Sequence, residues 1–202
     1  METKKRLLCL GDSQSYGFGV SRQKIWTTLL EKQSGIECIN AACNGNTTGG
    51  MLAYLPYEIE KHRPDAVFLM GGGNDILLSG DDATARSNMG ALVHLCVKEQ
   101  LMPIVGFMLS PLSSIRETWL ALSVLDAASF QVMVKKYIHW LNVFCKNLNI
   151  YYIDFHESFP QTIAARGQSV EDYYLDGLHV NADGHELMAD IFIEQLPRPL
   201  KA

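Results

Sequence analysis

Apolar residues in this chain gather into short, nearly continuous blocks instead of alternating with polar ones. Residues 7–10, 36–39, 66–70, 104–108 and 150–153 form five such blocks. Runs of four or five apolar residues suit parallel strands covered on both faces. Between the blocks the apolar period lengthens to that of a helix. Residues 51–62 set Met51, Leu52, Leu55 and Ile59 on one face and Glu58, Glu60 and Lys61 on the other. Residues 88–100 repeat the pattern with Met89, Leu92, Val93 and Cys96. The stretch 127–148 is the longest, with Phe130, Val134, Ile138, Leu141, Phe144 and Leu148 at helical spacing. Asn181 or Asp183 caps a last helix that carries Leu187, Met188, Ile191 and Phe192.

Alternating strands and helices imply right-handed βαβ crossovers and an α/β fold, a three-layer α/β/α sandwich. With no internal repeat, low-complexity tract or linker composition, one domain over residues 1–202 is expected. In such folds ligands bind at the carboxyl ends of the strands. The segments that follow the first three blocks read GDSQSYG, NAACNGNTTGG and GGGND, and the last helix is preceded by YYLDGLHVNADGH. All are rich in small polar residues and glycine, and the chemistry is expected there.

Composition narrows the classes. Hydrophobic residues make up 48% and charged residues 19% of the 202 positions, enough for a sizeable core. A net charge of −5, with KKR at residues 4–6 as the basic cluster, argues against a nucleic-acid partner. No stretch reaches the roughly 20 apolar residues of a membrane span. The N-terminal METKKR leads into a strand-like run instead of a signal peptide, and the five scattered cysteines read as reduced thiols. A cytoplasmic protein is therefore expected. No CxxC pair supports a zinc site, and neither a metal nor a cofactor is expected.

A serine hydroxyl becomes a nucleophile only when a neighbouring base takes its proton and a third group fixes that base. Ser13, in GDSQSYG, lies where the first strand ends. Of the six histidines, His62, His94 and His139 fall within helices, where surface or packing roles suffice. His156 stands beside Glu157 after the fifth block, and His185 falls in the first turn of the last helix. His179 differs, because Asp176 lies three residues upstream in a loop containing Gly177, a spacing that lets the carboxylate accept from imidazole Nδ1–H. Asp154 is a second, weaker acid for that role, and Asp12 suits bracing of the serine turn. An oxyanion needs donors, and Gly45 N–H, the Asn74 side-chain amide and the N–H of Ser13 itself can supply them.

These residues, GDSQS, NGNTT around Gly45, GGND at 72–75 and DGLH at 176–179, resemble in order and spacing the SGNH/GDSL hydrolase family, over residues 6–192. The resemblance implies a flavodoxin-like parallel sheet of order 2-1-3-4-5 and ester hydrolysis through an acyl-enzyme without a metal. It implies Ser13 as nucleophile, His179 as base, Asp176 as its orienting acid, and Ser13, Gly45 and Asn74 as oxyanion donors. Gln14 and Ser15 replace the family's usual Leu-Thr, Ala42 a frequent glycine and Val180 the usual proline, which bears on substrate more than on chemistry.

The expected substrate is a small carboxylic ester or thioester with a short acyl group, or alternatively an acetylated sugar. The long segment after the fourth block offers Leu109, Trp119, Leu120 and Leu122 as walls for an acyl group, or as packing for a short helix. The same segment holds Ser113, Ser114, Arg116 and Glu117, suited to hydroxyls. Two readings from other classes are a flavodoxin-like nucleotide binder using GGGND, which leaves Asp176 and His179 idle, and a non-catalytic domain that keeps the fold.

Overall fold

A computed structural model describes residues 4–121 and 123–201. Leu122, one of the four expected acyl-wall residues, lies outside the described residues. Five parallel strands form one sheet: β1 (Arg6–Gly11), β2 (Glu37–Asn40), β3 (Ala66–Met70), β4 (Met102–Phe107) and β5 (Tyr151–Asp154), in the order β2-β1-β3-β4-β5. The order reverses beside β1, so the loops after β1 and β3 diverge there and leave a crevice at the carboxyl edge.

The hydrophobic blocks mark strands because the central three are covered on both faces. All of β3 and nearly all of β1 and β4 are buried, whereas β2 and β5 are partly exposed edges. Among the strands the largest boundary difference is at β4, which begins at Met102 instead of 104, while the helix expected over residues 88–100 begins at Ala83. Pro103 interrupts the apolar run, yet so near the strand start its missing N–H is tolerated. Helices α2 (Trp26–Ser34), α8 (Phe155–Ala165) and α9 (Ala182–Glu194) pack together in one group, and α3 (Thr48–His62), α4 (Gly73–Ser79), α5 (Ala83–Lys98) and α7 (Ala127–Leu148) in another. Two further short helices, α1 (Ser13–Tyr16) and α6 (Glu117–Leu120), lie at the carboxyl edge.

Caps explain which helices the pattern locates. Asp126 accepts Ser129 N–H at 2.7 Å and Asn149 closes α7 at φ 53°, so its range matches the apolar period. Asn181, not Asp183, caps α9, accepting Gly184 N–H at 3.0 Å. Thr47 caps α3 at its Gly-rich first turn, four residues before Met51, the first apolar position. Among the described residues, no helix is long and apolar enough to cross a membrane.

An aromatic cluster joins α2, β3, α8 and α9. Phe192 is fully buried, stacks on Trp26 at 5.5 Å and meets Phe68 at 5.2 Å. Phe192→Ala should cost about 3–5 kcal/mol of stability, as for other buried aromatics, seen as a lower urea midpoint with the m-value retained.

Candidate active site

The turn that carries Ser13 is built by Asp12. Its carboxylate accepts Gln14 N–H at 3.0 Å and so caps α1 directly after β1, which leaves Ser13 as the first helical residue. Residues in a helix's first turn have N–H groups without helical acceptors, and Ser13 N–H is one of them. Gln14 is buried and its Oε1 accepts Leu109 N–H at 3.2 Å, tying the end of β1 to the end of β4. Asp12 is buried beside Ser13. Burial, helped by the nearby Asp75 and opposed by the Gln14 N–H, pushes its carboxyl up to about 6.

His179 and Asp176 come from the loop before α9. A lone antiparallel bridge between Tyr174 and Val180 pinches that loop, and Leu175 N–H donates to His179 O at 2.8 Å. Gly177 sits inside at φ 80°, where a Cβ would fall 2.6 Å from backbone atoms of Ile115, so only glycine fits. The Ser13 Oγ is 2.9 Å from His179 Nε2, and His179 Nδ1 is 2.9 Å from Asp176 Oδ2. Asp176 Oδ1 accepts Leu178 N–H at 3.0 Å and His179 N–H at 2.7 Å. Burial alone would raise the Asp176 carboxyl, but the donors from His179 and Leu178 hold it below the usual carboxylate range. An ionised carboxylate only accepts, so Nδ1 carries the proton and the Nε2 lone pair faces the serine hydroxyl, which donates to it.

The oxyanion candidates lie across the cleft. Asn74, in the first turn of α4, shares with Ser13 the lining of a cavity of about 20 Å³, and its Nδ2 donates to Asn46 O at 2.8 Å. Gly45 stands exposed on the adjoining loop at φ 71°, with open space where a side chain would be. Asp75, which sequence reasoning left without a role, joins the two loops: it accepts Thr48 N–H at 2.9 Å and Thr48 Oγ1–H at 2.6 Å.

The expected acyl walls separate. Leu109 is buried and borders both the Ser13 cavity and a larger one of about 240 Å³ walled by Pro111, Leu112, Phe159 and Val170. Leu120 packs on the core, and neither it nor Trp119 lines these two cavities. Trp119 instead points its indole N–H at Asp176 Oδ2, 2.8 Å away, a contact that spacing in the sequence does not signal. Among the other acids and histidines, Asp154 caps α8 by accepting Glu157 N–H at 2.9 Å and does not orient His179. His156 Nδ1 lies 3.0 Å from Ser110 Oγ, away from Ser13. His185 accepts Trp26 N–H at Nδ1 across 3.4 Å, and burial pushes its imidazole down to about 4. Among the described residues, no group of three or more His, Cys, Asp or Glu is placed to hold a metal ion.

A serine, a histidine and a buried aspartate hydrogen-bonded in series is the arrangement that serine hydrolases reach on several unrelated folds. The chain belongs to the GDSL-like lipase/acylhydrolase family, whose model matches residues 9–187. It is 34% identical to an arylesterase of Vibrio mimicus over 99 residues, 46% of this chain and 50% of that protein. The matched part thus spans about half the length of that relative. It is 26% identical over 192 residues to thioesterase 1/protease 1/lysophospholipase L1 of Escherichia coli K12, covering 94% of this chain and 82% of that one. A lipolytic protein of the G-D-S-L family from Veillonella parvula shares the fold, with a TM-score of 0.78 and 21% identity over 96% of this chain and 99% of that one.

Asp12 makes the site's environment measurable. A carboxyl raised in the folded state binds its proton more tightly there than in the unfolded chain, so its contribution to stability is greatest below the ordinary value of 3.8 and is lost as pH rises to about 6. The stability difference between the wild type and Asp12→Asn, whose amide oxygen can still cap α1, should decline across that window and be flat above it. Urea unfolding at several pH values reads this directly.

Proposed function

We propose that this chain is a serine hydrolase that cleaves small carboxylic esters or thioesters through an acyl-enzyme and works as one domain. The observation that carries the reading is the 2.9 Å contact between Ser13 Oγ and His179 Nε2, with Asp176 fixing the far side of the imidazole. In this reading His179 takes the hydroxyl proton as Ser13 Oγ attacks the carbonyl carbon. The tetrahedral oxyanion is met by Ser13 N–H, Gly45 N–H and the Asn74 amide. Collapse breaks the bond to the leaving alcohol or thiol, which departs with the proton from His179. Water, deprotonated by His179, then attacks the acyl carbon, and His179 gives that proton to Ser13 Oγ as the C–O bond breaks and the acid leaves.

Size supports a short acyl group. The cavity that Ser13 lines, about 20 Å³, holds little more than one water-sized group, which suits an acetyl methyl better than a chain. A second reading, an acetylated carbohydrate, is favoured by an open cavity beside Asp176 lined by Ser114, Arg116 and Glu171, groups that bind hydroxyls. All five cysteines are free, in keeping with a reducing compartment such as the cytoplasm. The net charge of −5 is in keeping with a small-molecule partner in preference to nucleic acid.

Ser13→Ala should remove labelling by a fluorophosphonate and all acyl-enzyme turnover of p-nitrophenyl acetate. Asn74→Ala should retain labelling at a rate lower by about 10²–10³, as for one lost oxyanion donor. Full hydrolysis by purified Ser13→Ala would sink the reading. Across p-nitrophenyl esters, kcat/KM should be highest for acetate and fall with chain length. Faster release of acetate from acetylated xylan than from the aryl ester would select the carbohydrate reading.

A further inference from the structure

The segment that follows β4 is fastened to the loop carrying Asp176 at several points. Leu112 N–H donates to Gly177 O at 2.7 Å, Arg116 N–H to Asp176 O at 3.1 Å, and Arg116 Nη2 to Leu175 O at 3.2 Å. Gly177 lies so close to Ile115 that no side chain fits between the two strands of backbone. This fastening ends in α6, where Trp119 turns inward. Its Nε1–H reaches Asp176 Oδ2 at 2.8 Å, the same oxygen that His179 Nδ1 meets at 2.9 Å. The indole also stands edge-on to the imidazole, with centroids 4.9 Å apart and planes at 71°, while Phe18 covers His179 at 4.5 Å and Trp119 at 5.3 Å.

A carboxylate turns easily about its last torsion, so holding both oxygens fixes its plane. Backbone N–H groups hold Oδ1, and on the Oδ2 side the donor other than His179 itself is Trp119. An indole N–H stays neutral, does not ionise in the working pH range and brings a rigid ring that excludes water.

We infer that Trp119 is a positioning residue: its indole N–H fixes the Asp176 carboxylate toward His179, making α6 part of the acyl-transfer machinery and Trp119 no acyl wall. The inference rests on the acyl-transfer reading above. The donor favours the ionised carboxylate, so its loss raises the proton affinity of Asp176. Other ionisable groups facing the pair are His185 on α9, Arg116, whose guanidinium is bonded to Leu175 O, and Glu171, which lines the open cavity beside Asp176. Among the described residues, none of the three donates to the Asp176 carboxylate.

Trp119→Phe keeps an aromatic edge against His179 and deletes the N–H. Replacement of Trp119 by benzothienylalanine, in which sulfur takes the place of the N–H, does the same with the ring size unchanged and serves if the phenylalanine variant folds poorly. With p-nitrophenyl acetate, kcat should fall about tenfold, the effect of one hydrogen bond to a charged group. KM should be nearly unchanged, and the acidic limb of log kcat/KM should move to higher pH. The downfield Nδ1–H proton resonance of His179 should shift in the same variants. A wild-type kcat and acidic limb, or a change confined to KM and acyl-length preference, would overturn the assignment. Ser13→Ala run alongside separates the two failures: an active Ser13→Ala refutes acyl transfer by Ser13, whereas an inactive one beside a wild-type-like Trp119→Phe refutes the role of Trp119 alone.

Discussion

A carboxylate withdrawn from water has to find donors for its lone pairs, and Asp176 finds four. Leu178 N–H and His179 N–H take one oxygen, and His179 Nδ1–H and Trp119 Nε1–H take the other. Two of these donors follow it closely in the chain, one is the imidazole beside it, and the last arrives from the connection between β4 and α7. Without that set, a buried carboxylate would protonate or swing out toward solvent, and either change would free the imidazole that faces Ser13. The bridge between Tyr174 and Val180, the glycine at φ 80° and the backbone bonds to the segment after β4 all hold this one anion in place.

The rest of the site depends on the sheet. Parallel strands deliver the ends of β1, β2, β3 and β4 to a single edge, so residues 13, 74 and 109 border one cavity although they lie far apart in the chain. Side chains then lock the loops to one another: Gln14 joins β1 to β4 through Leu109 N–H, and Asp75 joins the loop after β3 to the start of α3 through Thr48. Asp12 caps the turn that carries Ser13, at the cost of being a buried carboxyl. These bonds fix backbone geometry, and preorganised donors are what an acyl-transfer site needs.

Much of this was legible along the chain, and the exceptions have physical causes. The central strands and α7 could be read because both their apolar pattern and their ends are local, with Asp126 and Asn149 closing α7. Helix α2 could not. Its buried face holds just Trp26, Thr27 and Leu30, and its first turn is capped by the imidazole of His185, 159 residues away. Pro160 inside α8 hid that helix in the same way that Pro103 hid the start of β4. At the site, the short loop motif placed Asp176 against His179, because three residues of separation and a glycine restrict where the carboxylate can reach. Trp119 reads as a wall or as packing for a short helix, because an aromatic in a long connection shows its apolar bulk and not the direction of its one donor.

What the sequence determined by itself is the alternation of strands and helices and the identity of the chemical groups at the carboxyl edge. Both depend on local patterns, burial period and turn chemistry, which the chain carries without reference to distant parts. The tertiary structure decided which groups meet. It brought Ser13 to His179 across 166 residues, gave Gln14 its partner in Leu109, and turned Trp119 away from the two cavities that Leu109 borders and onto Asp176. Those contacts join separate loops, and their geometry exists only after the sheet has set the loops side by side.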